Sequence, residues 1–105
     1  MTNIQQLMQM GQQLQVRMAQ LQEELSAREI SASSGGGMVT ATVDGKGTVT
    51  RIVIDSTVVD PRDVEMLEDL VLAAVTQAQG KAQGQYEEDM RKAAAGMPIQ
   101  IPGLF

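Results

Sequence analysis

Apolar side chains at Ile4, Leu7, Leu14, Met18, Leu21 and Leu25, with Gly11 in the same register, follow one another at alternating steps of three and four. That spacing is a heptad seam, and it predicts one long helix over Ile4 to Leu25. At about 1.5 Å per residue the segment measures roughly 33 Å, more than a small compact domain needs for its own core. Part of it is expected to project or to pair. Gly11 costs about 1 kcal/mol of helix propensity relative to Ala. A close backbone approach would offset that cost, and plain tolerance in a frayed end would leave it standing. Both readings are open.

After Arg28 the period becomes two. Ile30 and Ala32 alternate with serines, then Val39, Ala41 and Val43 alternate with Thr40 and Thr42, as half-buried strands do. A third run, Thr48 to Ile54, places Ile52 and Ile54 on one face and Val49, Arg51 and Val53 on the other, so both faces are partly apolar. Such a strand is covered on one side and touched on the other, or lies at an edge near a dimer contact. Asp44-Gly45-Lys46-Gly47 is a hairpin signal, because glycine accepts the positive φ of tight turns. Gly35-Gly36-Gly37 reads as a looser loop. Three antiparallel strands follow.

A second helix is expected from Asp60-Pro61-Arg62-Asp63, with Asp60 as the cap and Pro61 at the first helical position. Asp63 and Glu65 favour that end through the helix dipole. Val64, Leu67, Val71, Ala74 and Ala78 form its seam, widened by Leu70 and Val75. Gly80 and Gly84 weaken the continuation, yet Ala82, Tyr86, Met90 and Ala93 keep near-helical spacing, so helix is expected to about Ala95, frayed or kinked. Pro98 and Pro102 exclude helix beyond it. The division is therefore a domain at 1–96 and a flexible apolar tail at 97–105.

Composition adds a constraint. The 105 residues include one Tyr, one Phe and no Trp. A domain of this size buries only about 60–70% of its unfolded surface, so a homo-oligomer is expected. Neither Cys nor His is present. The usual nucleophile–base pairs and most transition-metal sites are thereby removed, which argues against an enzyme and against a cofactor. The start of the chain lacks a basic leader, and no run reaches the roughly 20 apolar residues of a membrane span. A cytoplasmic protein without a membrane partner is expected.

The glycine-rich stretch does not form a phosphate loop. A Walker-type loop needs Gly, four residues, then Gly-Lys-Ser/Thr before a helix; here Thr40 stands at the first position, Gly47 follows Lys46, and a strand comes next. A dinucleotide fingerprint fails likewise, since Gly45-Lys46-Gly47 runs into Thr48-Val49-Thr50. The carboxylates Glu68/Asp69 and Glu87/Glu88/Asp89 are neighbours on helices and point different ways. No small-molecule substrate is implied.

The formal net charge is −5, unevenly spread. Residues 57–79 set Arg62 against Asp60, Asp63, Glu65, Glu68 and Asp69, whereas residues 1–22 carry Arg17 and no acid. Glutamines Gln5, Gln6, Gln9, Gln12, Gln13, Gln15, Gln20 and Gln22 cover most of the polar face of the first helix. They are ordinary helix formers that can also hydrogen-bond bases and phosphates.

The order helix seam, Gly35-Gly36-Gly37-Met38-Val39, Asp44-Gly45-Lys46-Gly47 with Arg51-Ile52 and Ile54-Asp55 after it, Glu65-Met66-Leu67-Glu68-Asp69-Leu70-Val71, then a Pro-Gly apolar tail resembles the YbaB/EbfC family of bacterial nucleoid-associated proteins. The resemblance covers nearly the whole chain. It implies an α+β fold, an α-β-β-β-α protomer with a three-stranded antiparallel sheet and two long helices, dimerising through the sheet region into a tweezer-like homodimer. It also implies binding of double-stranded DNA and a cytoplasmic, nucleoid location. Family members often carry Lys near the start and in the second helix, where this chain has fewer cations; weak, salt-sensitive binding is expected. Charge alone selects Arg17, Arg28, Lys81, Arg91 and Lys92 as backbone contacts. Val49, Arg51 and Val53 of the third strand, with Leu14 and Met18 of the first helix, are the expected dimer contacts. The rival reading is an acidic protein-interaction adaptor using the heptad helix, rich in Met1, Met8, Met10 and Met18, and the apolar tail.

Overall fold

The computed structural model describes residues 3–95. The tail expected at 97–105, and with it the boundary at 96, lies outside these residues. The order is helix α1 (Ile4–Ala27), strands β1 (Ile30–Ser34), β2 (Val39–Val43) and β3 (Val49–Ile54), then helix α2 (Val64–Ala95). This is the α-β-β-β-α arrangement the sequence predicts. The strands form one antiparallel sheet in the order β1-β2-β3.

Helix α2 lies across β1 and β2. Ala74, Ala78 and Ala82, one turn apart, are buried against Ile30, Ala32, Val39, Ala41 and Val43. Alanines on that face let helix and sheet backbones approach closely, which suits a core whose largest fully buried side chains are Val39 and Val43. Ser34 is the polar residue buried here, and its hydroxyl donates to the Leu70 carbonyl at 2.5 Å. Leu67, Leu70, Val71 and Val75 pack around the rim.

Strand β3 lies beyond the reach of α2, and all six of its residues are exposed. Register places Ile54 opposite Val39 and Ile52 opposite Ala41, on the helix side of the sheet. A register shift between Thr42 and Val43 pairs Val49 with Val43. Val49 therefore joins Ile52 and Ile54, not Arg51 and Val53 as strict alternation predicts: the irregularity resets the period. Arg51 and Val53 share the other face with Thr40 and Thr42, where Ser31–Thr42 and Ser33–Thr40 hydroxyl pairs, each at 2.8 Å, bridge β1 and β2.

Two local expectations change. Helix α2 begins at Val64, not Pro61. Asp63 is its cap, accepting from the Met66 N–H at 3.2 Å. Asp60 instead closes the preceding turn, accepting from the Arg62 N–H at 3.0 Å and its Nε at 3.1 Å. A short Asx-type turn outcompetes three further helical residues there. The segment Gly35–Gly37 is also tighter than a loose loop: it is one left-handed turn with φ of 60°, 68° and 94°. Only glycine adopts three such residues in succession at low cost.

Helix α1 leaves the sheet as an arm. The principal extents are 73 × 26 × 16 Å, longer than α2 alone at about 1.5 Å per residue. Of its 24 residues only Leu25 is buried, while Ile4, Leu7, Leu14 and Met18 are 54–74% exposed. A Cβ built on Gly11 meets nothing within 4 Å, so the close approach allowed by the sequence does not occur within the chain. Helix α2 runs unbroken through Gly80 and Gly84 to Ala95.

Candidate nucleic-acid interface

The arm is held at its base by the β2–β3 hairpin. The Gly45 N–H donates to the Leu25 carbonyl at 2.7 Å, a shorter bond than the one that same oxygen accepts from the C-cap Arg28 N–H at 3.3 Å. A Cβ on Gly45 would lie 2.8 Å from that same oxygen. Glycine is needed at this position for space; the positive φ of the hairpin, +88°, falls on Gly47. Asp44 Oδ1 organises the turn by accepting from the Lys46 and Thr48 N–H groups at 2.9 and 3.0 Å. Gln79 of α2 donates to the Gly47 carbonyl at 3.0 Å.

The cations divide into tied and free groups. Arg28, at the C-cap of α1, pairs with Asp89 of α2 at 2.8 Å, with 31% and 49% of the two side chains exposed. Lys81 Nζ donates to the Ser31 carbonyl on β1 at 3.0 Å, strapping α2 to the sheet edge. Arg91 pairs with Glu88 one turn earlier at 3.3 Å on a solvated surface. Among the described residues Arg17, Lys46, Arg51 and Lys92 form no ion pair. Of the five cations picked out by charge, the structure thus leaves Arg17 and Lys92 unpaired and gives Arg28, Lys81 and Arg91 partners inside the chain.

Lys46 was not singled out by the sequence. It projects from the hairpin tip between two glycines, and its position in a tight turn was the available signal. Asp89, which neutralises Arg28, could not be found that way, because the two lie 61 residues apart in sequence. The expected dimer contacts are exposed but do not form one patch in the single chain: Leu14 and Met18 are 63% and 54% exposed on the arm, Val49 and Val53 37% and 47% exposed on β3.

The electrostatics of the arm favour an anion more than the rest of the chain does. Before Glu23 the arm has no acid, and its glutamines are exposed around Arg17. At the opposite end two carboxylates are stabilised as anions. The Thr57 N–H and hydroxyl hold Asp55 below the usual aspartate range, and the Arg62 guanidinium followed by its N–H does the same for Asp60. Among the described residues no group of three metal-binding side chains occurs, and no helix is long and apolar enough to cross a membrane.

A three-strand meander backed by one helix, with a second helix standing off it as an arm, defines a class of small α+β protein. Comparison with known proteins narrows it. Residues 1–97 match the YbaB/EbfC DNA-binding family, and the chain belongs to that family. It is 43% identical over 104 residues to a nucleoid-associated protein of Rhodospirillum rubrum, covering 99% of this chain and 96% of the relative. It is 46% identical over 101 residues to a nucleoid-associated protein of Syntrophobacter fumaroxidans, covering 93% and 92%. The crystal structure of an uncharacterized Helicobacter pylori protein superimposes with a TM-score of 0.73 at 19% identity, covering 89% of this chain and 98% of the other. At that identity the likeness concerns the fold.

Proposed function

We propose that this chain is a homodimeric, non-enzymatic DNA-binding protein of the bacterial nucleoid. It grips duplex DNA mainly through phosphate contacts and contributes to nucleoid organisation and gene regulation. The observation that carries the reading is the arm: a 24-residue helix with one buried residue, acid-free up to Glu23 and coated with glutamine around Arg17. A solvated helix with that chemistry offers hydrogen bonds and positive charge to phosphate without nearby carboxylate repulsion. Family membership and the names of the relatives supply the DNA and the nucleoid. Lys46 and Lys92, unpaired like Arg17, are added as contacts; Arg28, Lys81 and Arg91 rank below them because each would first give up a partner.

The dimer in this proposal forms at β3. An exposed edge strand with Val49, Ile52, Val53 and Ile54 presents unpaired backbone and apolar side chains together, a template for pairing with another chain. A second copy would cover it and set two arms on one particle. Arg51 and Val53 belong to this contact, while Leu14 and Met18 contribute if the arms meet.

A mobility shift of duplex DNA by the verified dimer at low salt, repeated as salt rises, tests the reading: a shift that fades steeply supports it. Absence of a shift at low salt would remove it. The adaptor reading is favoured by the exposed seam Ile4, Leu7, Leu14 and Met18. Partner capture that survives nuclease would identify it.

A further inference from the structure

The apolar stripe of α1 runs well beyond its cover. Leu25 is buried at the foot of the arm, but Ile4, Leu7, Leu14 and Met18 are 74%, 57%, 63% and 54% exposed, and Met8 and Met10 beside them 60% and 63%. In heptad terms Ile4, Gly11 and Met18 take position a, and Leu7, Leu14 and Leu21 take position d. A stripe of this period is matched by a second helix of the same period, and among the described residues no helix packs along it.

We infer that the stripe pairs, antiparallel, with the α1 stripe of a second copy of this chain. Gly11 selects the orientation. Parallel pairing sets like positions level, so Gly11 would face another Gly11 and leave a hole where two side chains should meet. Antiparallel pairing sets position a against position d: Ile4 faces the partner's Leu21, Leu7 the partner's Met18, and Gly11 the partner's Leu14. The glycine then receives a leucine, and the space for it exists, since a Cβ built on Gly11 meets nothing within 4 Å. Opposed helix dipoles favour the same orientation.

Charge permits the contact. From Asn3 to Gln22 the arm has one charged side chain, Arg17. In this register the two Arg17 positions lie about 14 Å apart along the axis, beyond the screening length of about 10 Å at 0.1 M salt. Gln5, Gln6, Gln9, Gln12, Gln13 and Gln20 fall at positions b, c and f, outside the pair, so a paired arm still offers that face to phosphate. The overlap from Ile4 to Leu21 is about two and a half heptads, fewer than the three or four of a self-sufficient coiled coil. Arms therefore pair in concentrated protein, and the β3 contact governs dilute solution.

The chain has no cysteine, so introduced thiols report on their own positions. Leu7→Cys and Met18→Cys chains, mixed at high concentration without DNA and oxidised, should form the mixed disulfide several-fold faster than Gln13→Cys chains, whose thiol lies off the seam, join one another. Leu7→Cys alone should do no better than that control. Two Leu7 positions lie about 16 Å apart along antiparallel axes, beyond the disulfide reach of about 7 Å. A mixture no faster than the control would overturn the pairing and leave the seam to a different partner. Leu7→Cys alone outrunning the control would overturn the orientation and with it the role given to Gly11. With no DNA present, failure here leaves the phosphate reading standing, and a failed DNA titration leaves this contact standing.

Discussion

Gly45 and Leu25 meet backbone to backbone: the N–H of one donates to the carbonyl of the other at 2.7 Å, and no space is left for a side chain between them. The hairpin of the sheet thereby sets the direction in which α1 leaves it. Gly45→Ala would drive a methyl group against a carbonyl oxygen and against Leu25 Cδ2 at 3.0 Å. Overpacking of this kind costs about 1–3 kcal/mol. Chemical denaturation should record that loss together with a changed arm orientation by small-angle scattering. Gly47→Ala, strained by φ of +88° but with nothing within 4 Å, should lose about 1–2 kcal/mol and leave the arm where it is.

The ion pair between Arg28 and Asp89 joins the ends of two helices at a partly solvated site. With a third to a half of each side chain in water, its coupling energy should be about 0.5–1 kcal/mol. A double-mutant cycle of Arg28→Gln and Asp89→Asn, read by urea denaturation, measures it, and the coupling should shrink as salt rises.

Strand β3 is the proposed dimer edge. Val53 is 47% exposed in the single chain, so Val53→Lys should change protomer stability by no more than about 0.5 kcal/mol. Sedimentation should nevertheless shift from twice the 11.3 kDa chain mass toward a single chain. A variant that stays dimeric would place the contact elsewhere.

Acid should weaken the turns around β3 and before α2. Asp55 accepts from the Thr57 N–H at 2.9 Å and its hydroxyl at 2.8 Å, and Asp60 from Arg62; both pKa values are lowered from the usual 3.8. A depressed folded-state pKa means that the stabilisation is present above the unfolded value of 3.8 and is lost as pH falls through the lower folded value. NMR titration should put both midpoints below 3.8, and Asp55→Asn should remove part of the acid loss of stability.

Much of this architecture was legible because each element has its own period. The steps of three and four in α1, the alternation in Ile30–Ala32 and Val39–Ala41–Val43, and the hairpin sequence at Asp44–Gly47 each report local backbone geometry. What the period cannot report is what covers a stripe. The seam of α1 is as regular at Ile4 as at Leu25, yet only Leu25 is buried. The site was less legible for the same reason. Arg28 and Lys81 are indistinguishable from Arg17 by composition, and become different only when folding brings Asp89 and the Ser31 carbonyl to them. The start of α2 is hidden in the sequence because Asp60 and Asp63 are both good caps, and the choice between them rests on the turn that Arg62 completes.

The proposed grip on DNA depends on unpaired cations meeting phosphate, and the salt dependence of DNA affinity measures that most directly. The logarithm of the association constant should fall linearly with the logarithm of salt concentration. Replacing Arg17, Lys46 and Lys92 by Gln should flatten the line by about 0.9 for each phosphate contact removed, in a protein that remains folded and dimeric. Wild-type and substituted proteins falling on one line, or a dimer that leaves duplex DNA unbound at low salt, would contradict it.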